Sequence, residues 1–425
     1  MSRADLLIFP LILSPDPSFW SQCWFSCSPV HTTMSVQGHC DPRFSGLRDT
    51  FAKQLETGAE LGASVCVSIN GETAVDLYGG YSTPARTQPW TSDTIVPVWS
   101  ISKTITALAV LILIDRGQLH PDDPVAKYWP EFNTDDKRSI LVRHCLAHTS
   151  ALPSWDPELP VSELLSNQPL ATEKLIAQKP WWEPGTASGY HLMSQGLLLG
   201  ELVHRASGKP LPDFVRDELS TPLDADFHLG LQDEREWTRI GEMVSPTPLP
   251  PAMLKDPPKP DNPMYIALRA FRGCRMDAKY TVTPEFRRCG IGSFGGFSNA
   301  RGFNKILEII THGGSLNGKQ FLKSSTVDLI WQTQAEGPDL VLGTPLKMGM
   351  GFGLSNGSLD WIPEGKVCFW GGYGGSLAII DAERGITFTY AMNRMESGTL
   401  GNANSEAYVK AFYNDLNGEG AKATL

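Results

Sequence analysis

The chain has 425 residues, with 36 Lys plus Arg against 46 Asp plus Glu and a formal net charge of −10. An acidic surplus repels phosphate backbones and anionic lipid headgroups, which argues against nucleic-acid or membrane-surface binding as the main activity. With 41% apolar and 19% charged residues the chain is not a disordered one, and the numbers describe a soluble enzyme of two or three structural units.

In chain order, Leu6 to Leu13 form an apolar run behind Arg3, loosely like a signal peptide. Asp5 and Pro10 interrupt it, and no small-residue cleavage site follows. Residues 1–33 are therefore expected to be a disordered extension, or the product of a mis-set start codon, ahead of an ordinary amino terminus at Met34. Cytoplasmic residence is expected, or secretion if 1–33 act as a signal. The eight cysteines lack the paired spacing of a zinc site or a disulfide framework. Strands are predicted around SVCVSI and AVDLYG, joined by a turn at Asn70-Gly71, a strong hairpin signal. A helix over 100–116 is apolar almost all round and should be buried. Further helices are predicted over 140–148, 161–178, 191–206, 299–311 and 406–416. The stretch 245–263 is too proline-rich for helix or central strand and reads as a surface excursion. Strands return around CFWGG, SLAIID and ITFTYAM. Strands at both ends around a helical middle predict an α/β domain from 34–120 and 285–425, completed by both termini, with a mainly helical domain inserted over 121–284.

Three generic motifs are discounted. Gly353-Leu354-Ser355-Asn356-Gly357 fits G-x-S-x-G, but no helix follows Ser355 to form a nucleophile elbow, so Asn356-Gly357 reads as a turn. Gly290-Ile291-Gly292-Ser293-Phe294-Gly295 fits G-x-G-x-x-G without a plausible preceding strand or a following acidic residue, so no nucleotide cofactor is expected. His144 and His148 have the i, i+4 spacing of zinc ligands, but Cys145 stands where a metalloprotease needs Glu. No metal is expected.

Ser100-Ile101-Ser102-Lys103 differs because it opens the buried helix. Ser100 and Lys103 are i, i+3 and share one face of its first turn. A serine hydroxyl needs a nearby base, and burial at a helix N-terminus disfavours the charged lysine that would otherwise be useless as one. The same helix start aims the Ser100 N–H at a developing oxyanion. The bland alternative is an N-cap serine and a snorkelling lysine.

Val98-Trp99-Ser100-Ile101-Ser102-Lys103-Thr104 resembles the nucleophile motif of serine β-lactamases and penicillin-binding proteins. Arg143-His144-Cys145-Leu146-Ala147-His148-Thr149-Ser150-Ala151-Leu152-Pro153 is similar to the R-H-L-L-x-H-T-S-G-L-P segment of that superfamily, with Ala151 in place of glycine. Pro184 to Tyr190 resembles the approach to its Y-x-N tyrosine, and Phe369-Trp370-Gly371-Gly372-Tyr373 occupies the place of K-T-G. The resemblance is nearest to class C-related family VIII carboxylesterases and fungal lovastatin-type transesterases. Leu192 removes the Y-x-N amide and Trp370 removes the K-T-G cation, so β-lactam recognition is disfavoured. The resemblance implies a β-lactamase/transpeptidase-like fold of α/β plus all-α class, a central antiparallel sheet flanked by helices with an inserted helical domain. It also implies Ser100 as acylated nucleophile, Lys103 as its base and Tyr190 as proton relay. The N–H groups of Ser100 and Tyr373 would form an oxyanion hole, with Trp370, Gly371, Gly372 and Tyr373 contacting substrate. A Lys103 ammonium is expected to lower the Tyr190 pKa. Trp370 and Tyr373, with Trp155, Trp181 and Trp182, are expected to offer aromatic surface to an acceptor. The function implied is esterase or transesterase chemistry on a small, hydrophobic ester or thioester, in secondary metabolism, with a small-molecule acyl donor and water or alcohol as acceptor. The rivals are a β-lactamase or D-Ala peptidase, and a non-catalytic scaffold. Oligomeric state is left open.

Overall fold

The computed structural model describes residues 36–246, 259–262 and 264–418. The 1–33 extension and most of the 245–263 excursion lie outside the described residues. The chain opens with β1 (Gln37–Cys40), β2 (Gly62–Ile69) and β3 (Glu72–Gly80). Asn70 and Gly71 join the last two with φ of 51° and 85°, the left-handed pair that a two-residue hairpin turn requires. Short strands β4 (Val96–Pro97), β5 (Phe227–Leu229) and β6 (Gly296–Ser298) make a three-stranded sheet, and β7 (Ser315–Leu316) and β8 (Lys319–Gln320) a small hairpin. Then follow β9 (Ala335–Pro338), β10 (Pro345–Met348), β11 (Gly353–Leu354), β12 (Val367–Gly371), β13 (Leu377–Asp381) and β14 (Ile386–Met392).

The main sheet has nine strands in the order β1-β3-β2-β14-β13-β12-β11-β10-β9. Its centre joins the two ends of the chain: β2 pairs antiparallel with β14, from Ile69 opposite Ile386 to Ala63 opposite Met392. Helix Ala300–Thr311 covers one stretch of it, where Asn304 Nδ2 donates to the carbonyls of Cys66 and Thr387. Helix α1 (Ser45–Thr57) packs against Ala403–Leu416, with Phe44 stacked on Phe412 at 4.8 Å between centroids. The fold is thus the antiparallel sheet flanked by helices that the sequence predicts. Helix α2 (Ile101–Asp115) is buried at every residue from Ile101 to Leu113, as its all-round apolar sequence requires. Among the described residues no helix is long and apolar enough to cross a membrane, and the six described cysteines are free thiols.

One prediction from sequence needs correction, and one helix was missed. The helix over 161–178 is two helices, Val161–Ser166 and Gln168–Ala177. Asn167 turns the chain and caps the second helix by accepting from Leu170 N, with Pro169 in its first turn. Helix α1 was not predicted, although Leu47, Phe51 and Leu55 repeat every four residues and form its buried face.

Glu60 is fully buried beneath the sheet, where the hydroxyls of Tyr390 and Tyr408 donate to its Oε1. Burial outweighs those hydrogen bonds and pushes its pKa up to about 8. A carboxyl raised in the folded state binds a proton on folding. Its stabilising contribution is complete below the unfolded value near 4.5 and is lost as pH rises toward 8. The slope in that window is roughly 1.4 kcal/mol per pH unit. Glu60→Gln mimics the protonated form, so its melting temperature should overtake that of the native protein as pH rises from 5 to 9. Parallel pH profiles of the two melting temperatures would remove Glu60 as the titrating group.

Candidate active site

Strand β4 delivers the chain to α2 through Trp99, whose φ of 52° is a left-handed conformation costing about 1–2 kcal/mol in a non-glycine residue. Packing holds it there: Trp99 meets Phe286 and Tyr373 edge-on, each at 5.5 Å between centroids. The next residue, Ser100, is the N-cap of α2, yet its side chain makes no capping hydrogen bond. Lys103 is 2% exposed and does not snorkel. Both bland alternatives for the pair therefore fail on geometry. Lys103 Nζ lies 3.3 Å from Ser100 Oγ and donates to the carbonyls of Leu192 at 2.8 Å and Ser293 at 3.0 Å. Burial carries the Lys103 pKa well below its ordinary value. A neutral amine has two N–H bonds and one lone pair. With the two carbonyls holding two N–H bonds, the third donor position faces Ser100 Oγ, and loss of that proton would leave a lone pair there.

Tyr190 stands against the same pair. Its hydroxyl is hydrogen bonded to Ser100 and accepts from Trp370 Nε1 at 3.4 Å, and Lys103 Nζ lies 4.9 Å from its ring centroid. The direction expected for its pKa is reversed: burial raises it above the ordinary phenol value, and the hydrogen bonds from Ser100 and Trp370 only partly offset this. Burial likewise disfavours the Lys103 ammonium that was to favour a phenolate.

Trp370 is 2% exposed near the end of β12 and packs against both Tyr190 and His148, with ring centroids 5.2 and 5.8 Å away. It supports Tyr190 from behind and offers little surface to an acceptor. Trp155 is likewise buried, its Nε1 donating to Ala171 O, and Trp182 packs where a side chain on Gly189 would stand. Trp181, Trp182 and Tyr373 are partly buried. The glycines after Trp370 serve close approach. A Cβ on Gly372 would lie 2.5 Å from Val98 O, and one on Gly371 would lie 2.4 Å from Thr399 O. This draws the end of β12 against the segment that carries Ser100. Among the described residues, neither the Ser100 nor the Tyr373 backbone N–H is taken up by a turn or loop acceptor.

Sequence reasoning missed several contributors. Ser293 lies in the discounted glycine run, which passes close to α2: a Cβ on Gly292 would meet Thr106 Oγ1 at 2.6 Å, and Thr106 Oγ1 donates to Gly292 O. His148, at φ 62°, packs edge-on against Tyr190 at 4.8 Å and accepts from His191 N through Nδ1. Burial, with His191 and Lys103 nearby, depresses its pKa well below the ordinary imidazole value. His144 turns elsewhere, its Nδ1 accepting from Leu141 N, so the spaced histidines do not converge. Among the described residues no group of three His, Cys, Asp or Glu could hold a metal ion. Ala151, where the resembling segment has glycine, is held at φ 61°. Asp339 was not singled out at all, and its carboxyl accepts from Tyr190 N at 2.9 Å. Ser355 follows β11 with its N–H bonded to Val367 O, and no helix stands between β11 and β12 to make a nucleophile elbow.

The β-lactamase family model matches residues 47–411. The chain belongs to the β-lactamase family. It is 29% identical over 385 residues to the esterase/beta-lactamase LipL of Mycobacterium tuberculosis, covering 85% of this chain and 84% of that protein. A family VIII carboxylesterase crystal structure superposes with a TM-score of 0.81 at 28% identity, covering 90% of this chain and 100% of the other. A penicillin-binding protein homologue from Caulobacter crescentus gives 0.80 at 29% identity, with coverage of 90% and 100%. This β-lactamase-family chain is a serine hydrolase, and its fold is the β-lactamase/transpeptidase-like one that the motifs imply.

Proposed function

We propose that the protein cleaves an uncharged carboxylic ester through an acyl ester on Ser100, and passes the acyl group to water or to an alcohol. The observation that carries this reading is the buried Lys103 amine, 3.3 Å from Ser100 Oγ with two N–H bonds held by two carbonyls. Lys103 takes the Ser100 proton as Oγ attacks the ester carbonyl. The N–H groups of Ser100 and Tyr373 receive the developing oxyanion at the start of α2. Tyr190 gives its phenolic proton to the leaving alkoxide and recovers one from the Lys103 ammonium. An incoming water or alcohol runs the same path in reverse and restores the resting site.

The walls support an apolar substrate. Leu192, in the position of the missing amide, shares a cluster with Tyr190, Trp370, Val341, Leu346 and Met348. Partly exposed Trp181, Ile266, Phe271, Leu342 and Leu400 extend that cluster toward solvent. A surface of this kind favours an apolar acyl or alcohol group and gives a β-lactam carboxylate no cation at Trp370. Identity to family VIII carboxylesterases supports the ester reading over β-lactam hydrolysis. A scaffold would have no physical need for a buried, desolvated lysine aimed at a serine.

The test is intact-mass detection of the acyl-enzyme with a panel of apolar acyl esters and thioesters, followed by addition of hydrophobic alcohols. A mass increase equal to the acyl group, mapped to Ser100, is expected. A new ester should then appear beside free acid, because an apolar wall raises the local concentration of alcohol over water. Acylation of any other residue overturns the reading, and free acid alone across the alcohol panel makes the protein a plain esterase.

A further inference from the structure

Tyr190 lies outside regular structure: the helix that follows it starts only at Ser194. A proton donor in such a segment must be held from elsewhere, since a misplacement near 1 Å can cost about 10²-fold in rate. The holding group is 149 residues away. Asp339 is buried, and its Oδ1 accepts from the backbone N–H groups of Tyr190, Val341 and Leu342, each at 2.9 Å. Its Oδ2 accepts from the Ser188 hydroxyl, and the neighbouring Leu340 N donates to Ser188 O at 2.8 Å. Two of these bonds close Asp339's own turn. The other three tie that turn to the Ser188–Tyr190 strip, two at Ser188 and one at Tyr190, on either side of Gly189. A buried carboxylate is costly unless several donors meet it, and two of the four donors here come from the strip that carries the phenol. The same turn sends Val341 and Leu346 into the apolar cluster behind Tyr190 and Trp370.

We propose that Asp339 is the positioning residue of Tyr190, fixing the backbone of the strip so that the phenol stays within reach of Ser100 and the departing alkoxide. This rests on the reading of Tyr190 as the acid that protonates the leaving group. Without a fixed phenol, expulsion of a basic alkoxide slows, whereas a nitrophenolate leaves without a proton.

The experiment compares kcat/KM for an ethyl ester and a p-nitrophenyl ester of the same acid in Asp339→Ala, Asp339→Asn, Ser188→Ala and Tyr190→Phe, with the thermal melt of each. Asn keeps a carbonyl oxygen for the three N–H groups. Asp339→Ala should lose about 10²-fold on the ethyl ester and only a few-fold on the nitrophenyl ester. Asp339→Asn should recover most of that loss, and Ser188→Ala should show the same pattern more weakly. Adding Tyr190→Phe to Asp339→Ala should cost little more than Tyr190→Phe alone. Equal losses on both esters in a folded Asp339→Ala, or fully multiplicative effects with Tyr190→Phe, overturn the positioning role. If Asp339→Ala does not fold, Ser188→Ala and Asp339→Asn decide, and nitrophenyl losses as large as ethyl losses in both sink the proposal. If Tyr190→Phe itself fails to separate the two esters, it is the acid reading of Tyr190 that falls.

Discussion

Ser100→Ala should abolish acyl-enzyme formation and lower turnover by about 10⁴–10⁶-fold while the protein stays folded. The hydroxyl caps nothing in α2, and its partners are the Lys103 amine and the Tyr190 phenol, so the fold loses little with it. The stability change should stay within about 1 kcal/mol, the net worth of an ordinary hydrogen bond. The readouts are intact mass after incubation with an activated ester, steady-state rate and thermal melt. Ser355→Ala serves as the internal control and should retain nearly full activity, since no helix follows Ser355 to build a nucleophile elbow. Full-stoichiometry labelling of the Ser100→Ala protein would move the nucleophile elsewhere.

The second large effect is expected at Lys103. Lys103→Met fills the same buried space with an apolar chain but leaves the carbonyls of Leu192 and Ser293 without their donor. That costs roughly 1–3 kcal/mol for a buried polar group, partly offset because no amine need be desolvated. Activity should fall by about 10²–10⁴-fold, the usual value of a general base. Its pH dependence is the sharper readout. The base is competent only when neutral, so native activity rises as pH climbs through the lowered Lys103 pKa, below the ordinary lysine value. It should hold until Tyr190 ionises, above the ordinary phenol value. The native profile is then a broad plateau, and Lys103→Met should lose its acidic limb. An unchanged acidic limb in that variant would assign the base to another group.

What could be read from sequence was local. The SxxK pair, the all-apolar helix behind it and the Asn70-Gly71 hairpin each sit within a few residues, where spacing alone fixes geometry. The break at Asn167 and Pro169 was equally local, but a long periodic run masked it. The Tyr190 environment was of another kind. The direction of its pKa depends on how deeply Trp370, His148 and the 339–348 segment bury it, and those residues come from three distant parts of the chain. Asp339 could not be found from spacing, because its partners lie 149 and 151 residues away. Trp370 was expected to offer its ring to an acceptor and is buried instead: nothing in Trp-Gly-Gly says whether the indole faces the cleft or backs the tyrosine.

The seam between β2 and β14 also governs when the enzyme can first exist. Helix α2 emerges from the ribosome early, but β12 and the turn that presses on it come late: the Ser376 hydroxyl reaches back 278 residues to Val98 O. At ordinary synthesis rates that delay is roughly 15–55 s. Throughout it, the most apolar helix of the chain lacks the strands that cover it, and such long-range pairing is slow to form and prone to aggregation. Chaperone demand should therefore peak before release, when α2 is made and β14 is not. A nascent chain halted ahead of Gly371 carries its serine and lysine but neither the Tyr373 donor nor the central strand. The turn that presses on the serine's segment is thus made long after the serine itself.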